Sequence, residues 1–304
     1  MGAILSRAFR RDGHNVVLLS RHPDKSKEHA VRWDGRTLGS WTQELDGADV
    51  VINLAGRSVN CRYNAENRQE IMQSRVDSTR AVGQAIARST NAPRVWLQAS
   101  TATIYAHRYD APNDEITGII GGAESNVPDT WRFSISVAQA WEQAVADAGT
   151  LPRTRTVLLR SAMTMSPDRG GVFDVLSGLV RVGLGGQAGD GRQSVSWIHD
   201  TDFVRAVYWL IEQKSLSGPV NLSSPNPLPN TEFMRELRQA WGVPIGLPAT
   251  KWMLEIGAVF LRTETELILK SRRVVPTKLT QSGFAFQFPN WLDAAQDLRA
   301  RWRK

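Results

Sequence analysis

The chain reads as an α/β fold built on a parallel sheet, and three features of the sequence predict it. Helical and extended segments alternate up to about residue 165. The extended segments "DVVINLAG", "RVWLQAS" and "RTVLLRSAM" are largely continuous apolar runs rather than alternating ones, as expected of strands covered by helices on both faces. The chain also opens on a helix that turns directly into a strand, which reads as the middle of a repeating unit.

Taken in order, "MGAILSRAFRRDGHNVVLLSR" sets Ala3, Ile4, Leu5, Ala8 and Phe9 on a helix over 3–12 that ends at Gly13. A strand over 15–19 follows and closes on Ser20-Arg21. A short strand is expected over 30–33, then "DVVINLAG", a long helix over 66–89, "RVWLQAS", a helix over 134–148 and "RTVLLRSAM". Beyond Pro167 come a glycine-rich loop, "GLGGQAGDGRQ", a short strand in "SVSWIHD" and a helix in "TDFVRAVYWLIEQ". From about 216 the elements are short and bounded by proline, with a helix starting behind Asn230-Thr231 and carrying Glu232 and Glu236 in its first turns. The expected architecture is a doubly wound, Rossmann-like parallel sheet over 1–215 and a small C-terminal α+β cap over 216–304, closing over the carboxyl edge where open α/β folds place ligands.

Composition narrows the function classes. No apolar run approaches the roughly 18 residues of a membrane span and no signal peptide is visible, so a cytoplasmic protein without membrane contact is expected. One cysteine, Cys61, excludes an internal disulfide, and the five histidines show no metal-ligand spacing. The net charge of +7 is scattered, with only "SRR" and "RARWRK" locally dense, and reads as solvated surface rather than a nucleic-acid patch. "MGAILS" fits a myristoylation pattern at Gly2, but those residues begin an apolar-periodic helix, and the match is taken as coincidence.

A dinucleotide fold needs glycines where its first strand turns into a helix, because the pyrophosphate must approach backbone N–H groups. Only Gly2 stands there. Ser20-Arg21 closes the next strand, where an acid would take the ribose of NAD and an arginine the 2′-phosphate of NADP. With no acid present, NADP is favoured; the alternative is that Arg21 is a surface arginine.

The stretches "GHNVVLLSR", "DGADVVINLAG", "RQEIMQSRVDSTR", "LLRSAMTMSPDRGG", "GLGGQAGDGRQSVSWIHDTDFVRAV", "SGPVNLSSPNPLPNTEF" and "KSRRVVPTKLTQSGFAFQFP" are similar, in order, to an atypical branch of the extended short-chain dehydrogenase/reductases. This branch is labelled epimerase-family proteins and carries a C-terminal domain of unassigned role; the resemblance covers nearly the whole chain. It implies a "GGTGFIG" loop of which Gly2 matches the last glycine, so the first strand and most of the glycine loop are absent and a misplaced or truncated start is favoured. The family's cofactor contacts then fall on Gly2, Ser20, Arg21, Leu54, Ala55, Gly56, Glu70, Arg75, Arg160 and Thr164. In "NLAG" small residues let the strand end pass close to the adenine ribose; Glu70 and Arg75 have a solvated helix face as their alternative.

"STATIYA" resembles the "SSATVYG" of nucleotide-sugar epimerases and places Thr101 where a hydroxyl bonds the reacting oxygen. The superfamily's Tyr-xxx-Lys pair is missing: the "AWEQA" helix puts Ser134 and Ala138 at those positions, as is common in the branch. Tyr105 is the substitute candidate, with packing under the sheet edge as its alternative. His199, with Asp200 and Asp202, matches a substrate-side segment, an N-cap being the expected role of Asp200. Arg192 sits where related enzymes hold a substrate phosphate. The implied function is an NADP-dependent, epimerase-like oxidoreductase of a sugar-like or phosphorylated small molecule, with a catalytically silent nucleotide-binding protein as the alternative. By analogy the helix over 69–87 could make a homodimer.

Overall fold

The computed structural model describes residues 1–23, 29–150, 153–249 and 269–302. Helix α1, Gly2–Arg11, buries Leu5 and Ala8 and ends on Arg10 and Arg11, where cations meet the negative end of the helix dipole. It leads to β1, Leu18–Ser20, and then to β2, Ala30–Arg32, which pairs with β1 in parallel. Next come β3, Val50–Asn53, and α2, Ala65–Arg88, whose N-cap Asn64 accepts the Asn67 N–H at 2.8 Å. β4, Val95–Thr101, precedes α3, Asp129–Ala146, which begins behind Pro128, five residues before the helix expected over 134–148. "RTVLLRSAM" is two strands: β5, Arg155–Ser161, and β6, Met163–Met165, separated at Ala162 where the chain leaves the main sheet.

The remaining elements are α4, Val172–Arg181; β7, Ser194–Val195; β8, Trp197–His199; α5, Asp200–Glu212; β9, Gly218–Leu222; β10, Leu228–Pro229; and α6, Asn230–Trp241. α6 stops at Gly242, whose φ of 69° is the left-handed cap geometry that glycine supplies without strain. α7, Thr277–Gln281, and α8, Trp291–Trp302, complete the described chain.

The main sheet runs β3-β4-β5-β9, all parallel. On one face Leu97, Val157, Leu159, Val220 and Leu222 pack against Phe203, Val207 and Leu210 of α5 and Leu5 of α1. On the other Trp96 and Leu158 meet Val82 and Ile86 of α2 and Val145 near the end of α3. Helices on both faces explain why the strands carry no polar–apolar alternation. Among the described strands none pairs with the second edge of β3 or bridges it to β1. Leu19 and Val31 nevertheless share an apolar cluster with Val51 and Ala55, so the two sheets are joined by side chains without a ladder.

The second core gathers Met165, Phe173, Trp197, Phe233, Leu237, Trp241, Trp291 and Leu298 from β6, α4, β8, α6 and α8. The two lobes are therefore interleaved rather than divided at residue 215. β9 lies beyond that point yet pairs with β5, while β6 and β8 lie before it and pair with each other away from the main sheet.

Candidate active site

Parallel strands deliver their carboxyl ends to one edge, and the candidate site lies there. β4 ends on Thr101, whose Oγ1 accepts the Thr103 N–H at 3.1 Å and so keeps its own proton for an outside oxygen. Thr101 and Thr103 line a cavity of about 110 Å³ with Tyr63, Arg75 and Ser134, closed by Val59, Ile71, Phe133, Val137 and Trp141. Pockets for drug-sized ligands measure roughly 300–1,000 Å³, so this space suits the reacting end of a molecule rather than a whole nucleotide.

Two of these groups, Thr101 and Ser134, stand at positions the resemblance marks, and the fold brings them together from β4 and α3. Ala138, one turn further along α3, is fully buried against Ala102, Ile104 and Val274, which fill the space a longer side chain would need. Tyr63 is a residue sequence reasoning missed. It enters on the 57–63 loop, with its ring 5.2 Å from that of Phe133, and no spacing rule ties that loop to α3.

Arg75 bears on the same cavity. Its Nη1 donates to the Ile71 carbonyl at 3.0 Å and its guanidinium carbon lies 5.0 Å from the Trp141 ring. Gly56 makes room for it: a Cβ there would stand 3.3 Å from Arg75 Cγ and Cζ. Burial lowers the Arg75 pKa from its ordinary value, and no carboxylate among the described residues pairs with it.

Other residues assigned to the nucleotide do not line that cavity. Gly2 opens α1 close to Leu54, with 3.9 Å between Leu54 Cδ1 and a Cβ built on the glycine. The Ala55 N–H donates to Asn53 Oδ1 at 3.0 Å, which fixes the turn out of β3. Ser20 Oγ accepts the His22 N–H at 3.2 Å, and Arg21 lies exposed at the end of β1. Thr164 Oγ1 is buried with no hydrogen-bond partner, and a polar ligand atom would satisfy it. A small-residue strand end, a helix N-terminus and an orphaned hydroxyl are compatible with a dinucleotide.

Several expected site residues are engaged elsewhere. Arg160 is bound by Glu142 through two 2.8 Å bonds and donates to the Tyr105 hydroxyl at 2.9 Å, so it is not presented to a cofactor. Tyr105 in turn donates to Asn221 Oδ1 at 3.0 Å; it is 2% exposed, and burial pushes its phenol above the usual range. Packing under the sheet edge, not catalysis, is its role. Glu70 pairs with Arg57 on the surface of α2.

His199 is fully buried, stacked 3.9 Å from the Phe288 ring. Its Nδ1 accepts the Thr201 N–H at 3.1 Å, which leaves Nε2–H to donate to Asp297 at 3.0 Å. It caps α5 and ties that helix to α8, rather than facing a substrate. His199 thus takes the N-cap role expected of Asp200, which instead accepts Arg301 at 2.5 Å. Arg192 is exposed, 5.4 Å from the Tyr109 ring, and does not line the cavity.

The fold and its carboxyl-edge cavity define a Rossmann-type protein of the short-chain dehydrogenase/reductase kind. Residues 1–222 match the NAD dependent epimerase/dehydratase family, and the chain belongs to it. Residues 249–298 match a domain of unknown function, DUF1731. The epimerase family protein SDR39U1 of Bos taurus is 29% identical over 293 residues, covering 95% of this chain and 92% of the relative. An epimerase family protein of Staphylococcus epidermidis is 29% identical over 298 residues, covering 98% and 95%. The crystal structure of human SDR39U1 (isoform 2) with NADPH superimposes with a TM-score of 0.84 at 26% identity, over 98% of this chain and 95% of that one. UDP-N-acetylglucosamine 4-epimerase of Bacillus cereus, at 17% identity and a TM-score of 0.72 over 99% and 92% of the two chains, shares the fold.

Proposed function

We propose that this chain is an NADPH-dependent, epimerase-like oxidoreductase acting on a small hydroxy or carbonyl compound. One observation carries the reading: Thr101 and Ser134 meet in a small cavity at the carboxyl edge of the sheet, next to strand ends suited to a dinucleotide. The human relative crystallised with NADPH supports the choice of cofactor, and Arg21 at the end of β1 is the residue we assign to the 2′-phosphate.

When bound, the nicotinamide supplies or accepts a hydride at the substrate carbon. The chain's part is to hold and polarise the oxygen. Thr101 Oγ1 accepts the Thr103 N–H and donates its proton to the substrate oxygen, stabilising the charge that develops there. Ser134 and Tyr63 bring two further hydroxyls, while Ile71, Val137 and Trp141 exclude water.

The test is titration with NADPH and NADH followed by turnover of a carbonyl panel. NADPH should bind more tightly than NADH, and Arg21→Glu should remove the preference. Thr101→Val should lower turnover by about 10²-fold or more with NADPH binding unchanged. Absence of NADPH binding overturns the reading, and binding without turnover of any substrate would make the protein a silent nucleotide binder.

A further inference from the structure

We propose that α4 is a dimer interface, pairing antiparallel with α4 of a second copy of this chain across a two-fold axis at Gly178. The proposal is independent of the oxidoreductase reading.

α4 is apolar on both sides. Phe173 and Val180 point inward and are fully buried in the second core. Val175, Leu179 and Val182, spaced as one helix face, point outward and are 58%, 39% and 69% exposed. A helix that is hydrophobic all round belongs in an interior, yet among the described residues nothing covers this outer face. The strip runs on into exposed Leu184. It then reaches exposed Ile245 and Leu247, because the Leu247 N–H donates to the Gly183 carbonyl at 2.8 Å and the Gly186 N–H to the Leu247 carbonyl at 3.1 Å. A continuous apolar surface of this kind marks a contact site. None of the large apolar side chains of α2, the helix the resemblance points to for a homodimer, is exposed.

Gly178 argues that the cover is a second helix. It is exposed on the outer face, and a Cβ there would meet nothing within 4 Å. Glycine is among the poorest helix formers and no described neighbour requires one here, whereas a helix crossing closely over the face would. The charges select a copy of α4 itself. At about 100° per residue, Asp174 and Arg181 fall on one flank of the face, a turn to either side of Gly178. An antiparallel two-fold keeps like flanks together and reverses the axial order, so Arg181 of each copy comes level with Asp174 of the other. Arg181 is exposed, and the Gly170 N–H and the Trp302 indole hold the Asp174 carboxyl below its ordinary pKa, so both charges are present.

Sedimentation velocity of the full chain over a dilution series tests the pairing. The wild type should sediment as a dimer that dissociates on dilution. Gly178→Leu improves helix propensity, so it should leave the far-UV helix signal intact while raising the dimer dissociation constant about tenfold or more. Arg181→Glu would face Asp174 of the other copy, and Asp174→Lys would face its Arg181, so each alone should weaken the dimer by a similar factor. Mixed in equal amounts, these two variants should form a heterodimer in which both ion pairs are remade. Should Asp174→Lys fail to fold, Gly178→Leu and Arg181→Glu decide.

A wild type that stays monomeric at every concentration overturns the proposal, whether the strip then lies free, on a lipid bilayer or under another part of the chain. A dimer indifferent to Gly178→Leu or to Arg181→Glu, or a mixture of the two folded charge variants that stays monomeric, overturns it as well.

Discussion

At the scale of single residues, Glu142 and Arg160 show what a matched buried charge contributes. Their side chains are 14% and 9% exposed, and the pair also fixes Ser100 and Tyr105. Glu142→Gln strands a buried guanidinium and should cost about 3–5 kcal/mol in a denaturant titration; a loss below about 1 kcal/mol would mean the pair is solvated in solution. His199 gives a pH signature. Burial holds its imidazole below the ordinary value, against the pull of Asp200. The unfolded ring takes up a proton near pH 6.5 while the folded ring resists, so the stability owed to neutral His199 is complete above that pH and lost as pH falls through it. The stability difference between wild type and His199→Gln should shrink on acidification from pH 7.5 to 5.5; a difference that grows would refute the assignment. Thr101 was placed from its motif at a strand end, whereas Ser134 was read only as the residue standing where the missing tyrosine would be, and it lines the same cavity. Arg160, Tyr105 and His199 were misplaced because the same motifs serve packing: a charged residue at a strand end reads alike whether it faces a ligand or a buried partner.

Among the elements, α5 is the hub. Asp202 in its first turn accepts the Gln287 and Phe288 N–H groups, both at 2.8 Å, and the Arg205 guanidinium at 2.8 Å. One carboxylate thus anchors the "GFAFQFP" segment to the helix. Bonds to a charged acceptor contribute about 1.5–3 kcal/mol each in net terms. Asp202→Ala should therefore loosen this segment, seen as proteolytic cleavage near 284–289 at protease levels the wild type survives. The order of helices and strands in the sheet domain was readable from apolar runs. Their ends were not: α3 starts at Asp129 behind Pro128, and the break at Ala162 reflects a change of strand partner that no local pattern announces.

At the scale of the whole molecule, the described parallel strands β1-β2 and β3-β4-β5-β9 form two sheets that meet through an apolar cluster, with no ladder between them among the described residues. β4 and β5 are paired on both edges, whereas β1 and β3 each have one described partner. Backbone amides of β1 and β3 should exchange with deuterium well before those of β4 and β5, and equal protection would mean the two pieces share a ladder in solution. Among the described residues of the locally dense basic stretches, Arg272 is buried, Arg273 is exposed, Arg299 donates to the Ala240 carbonyl at 2.6 Å and Arg301 pairs with Asp200. Among the described residues no helix is long and apolar enough to cross a membrane.

The bond from Arg301 to Asp200 has a practical side. The helix carrying it is the last described element, yet its guanidinium neutralises an acid at the head of α5, a hundred residues earlier in the chain. Arg301→Ala would leave Asp200 and Asp297 facing each other across His199 without this cation between them. Losing this one guanidinium would therefore harm shelf life more than losing an exposed loop arginine such as Arg192.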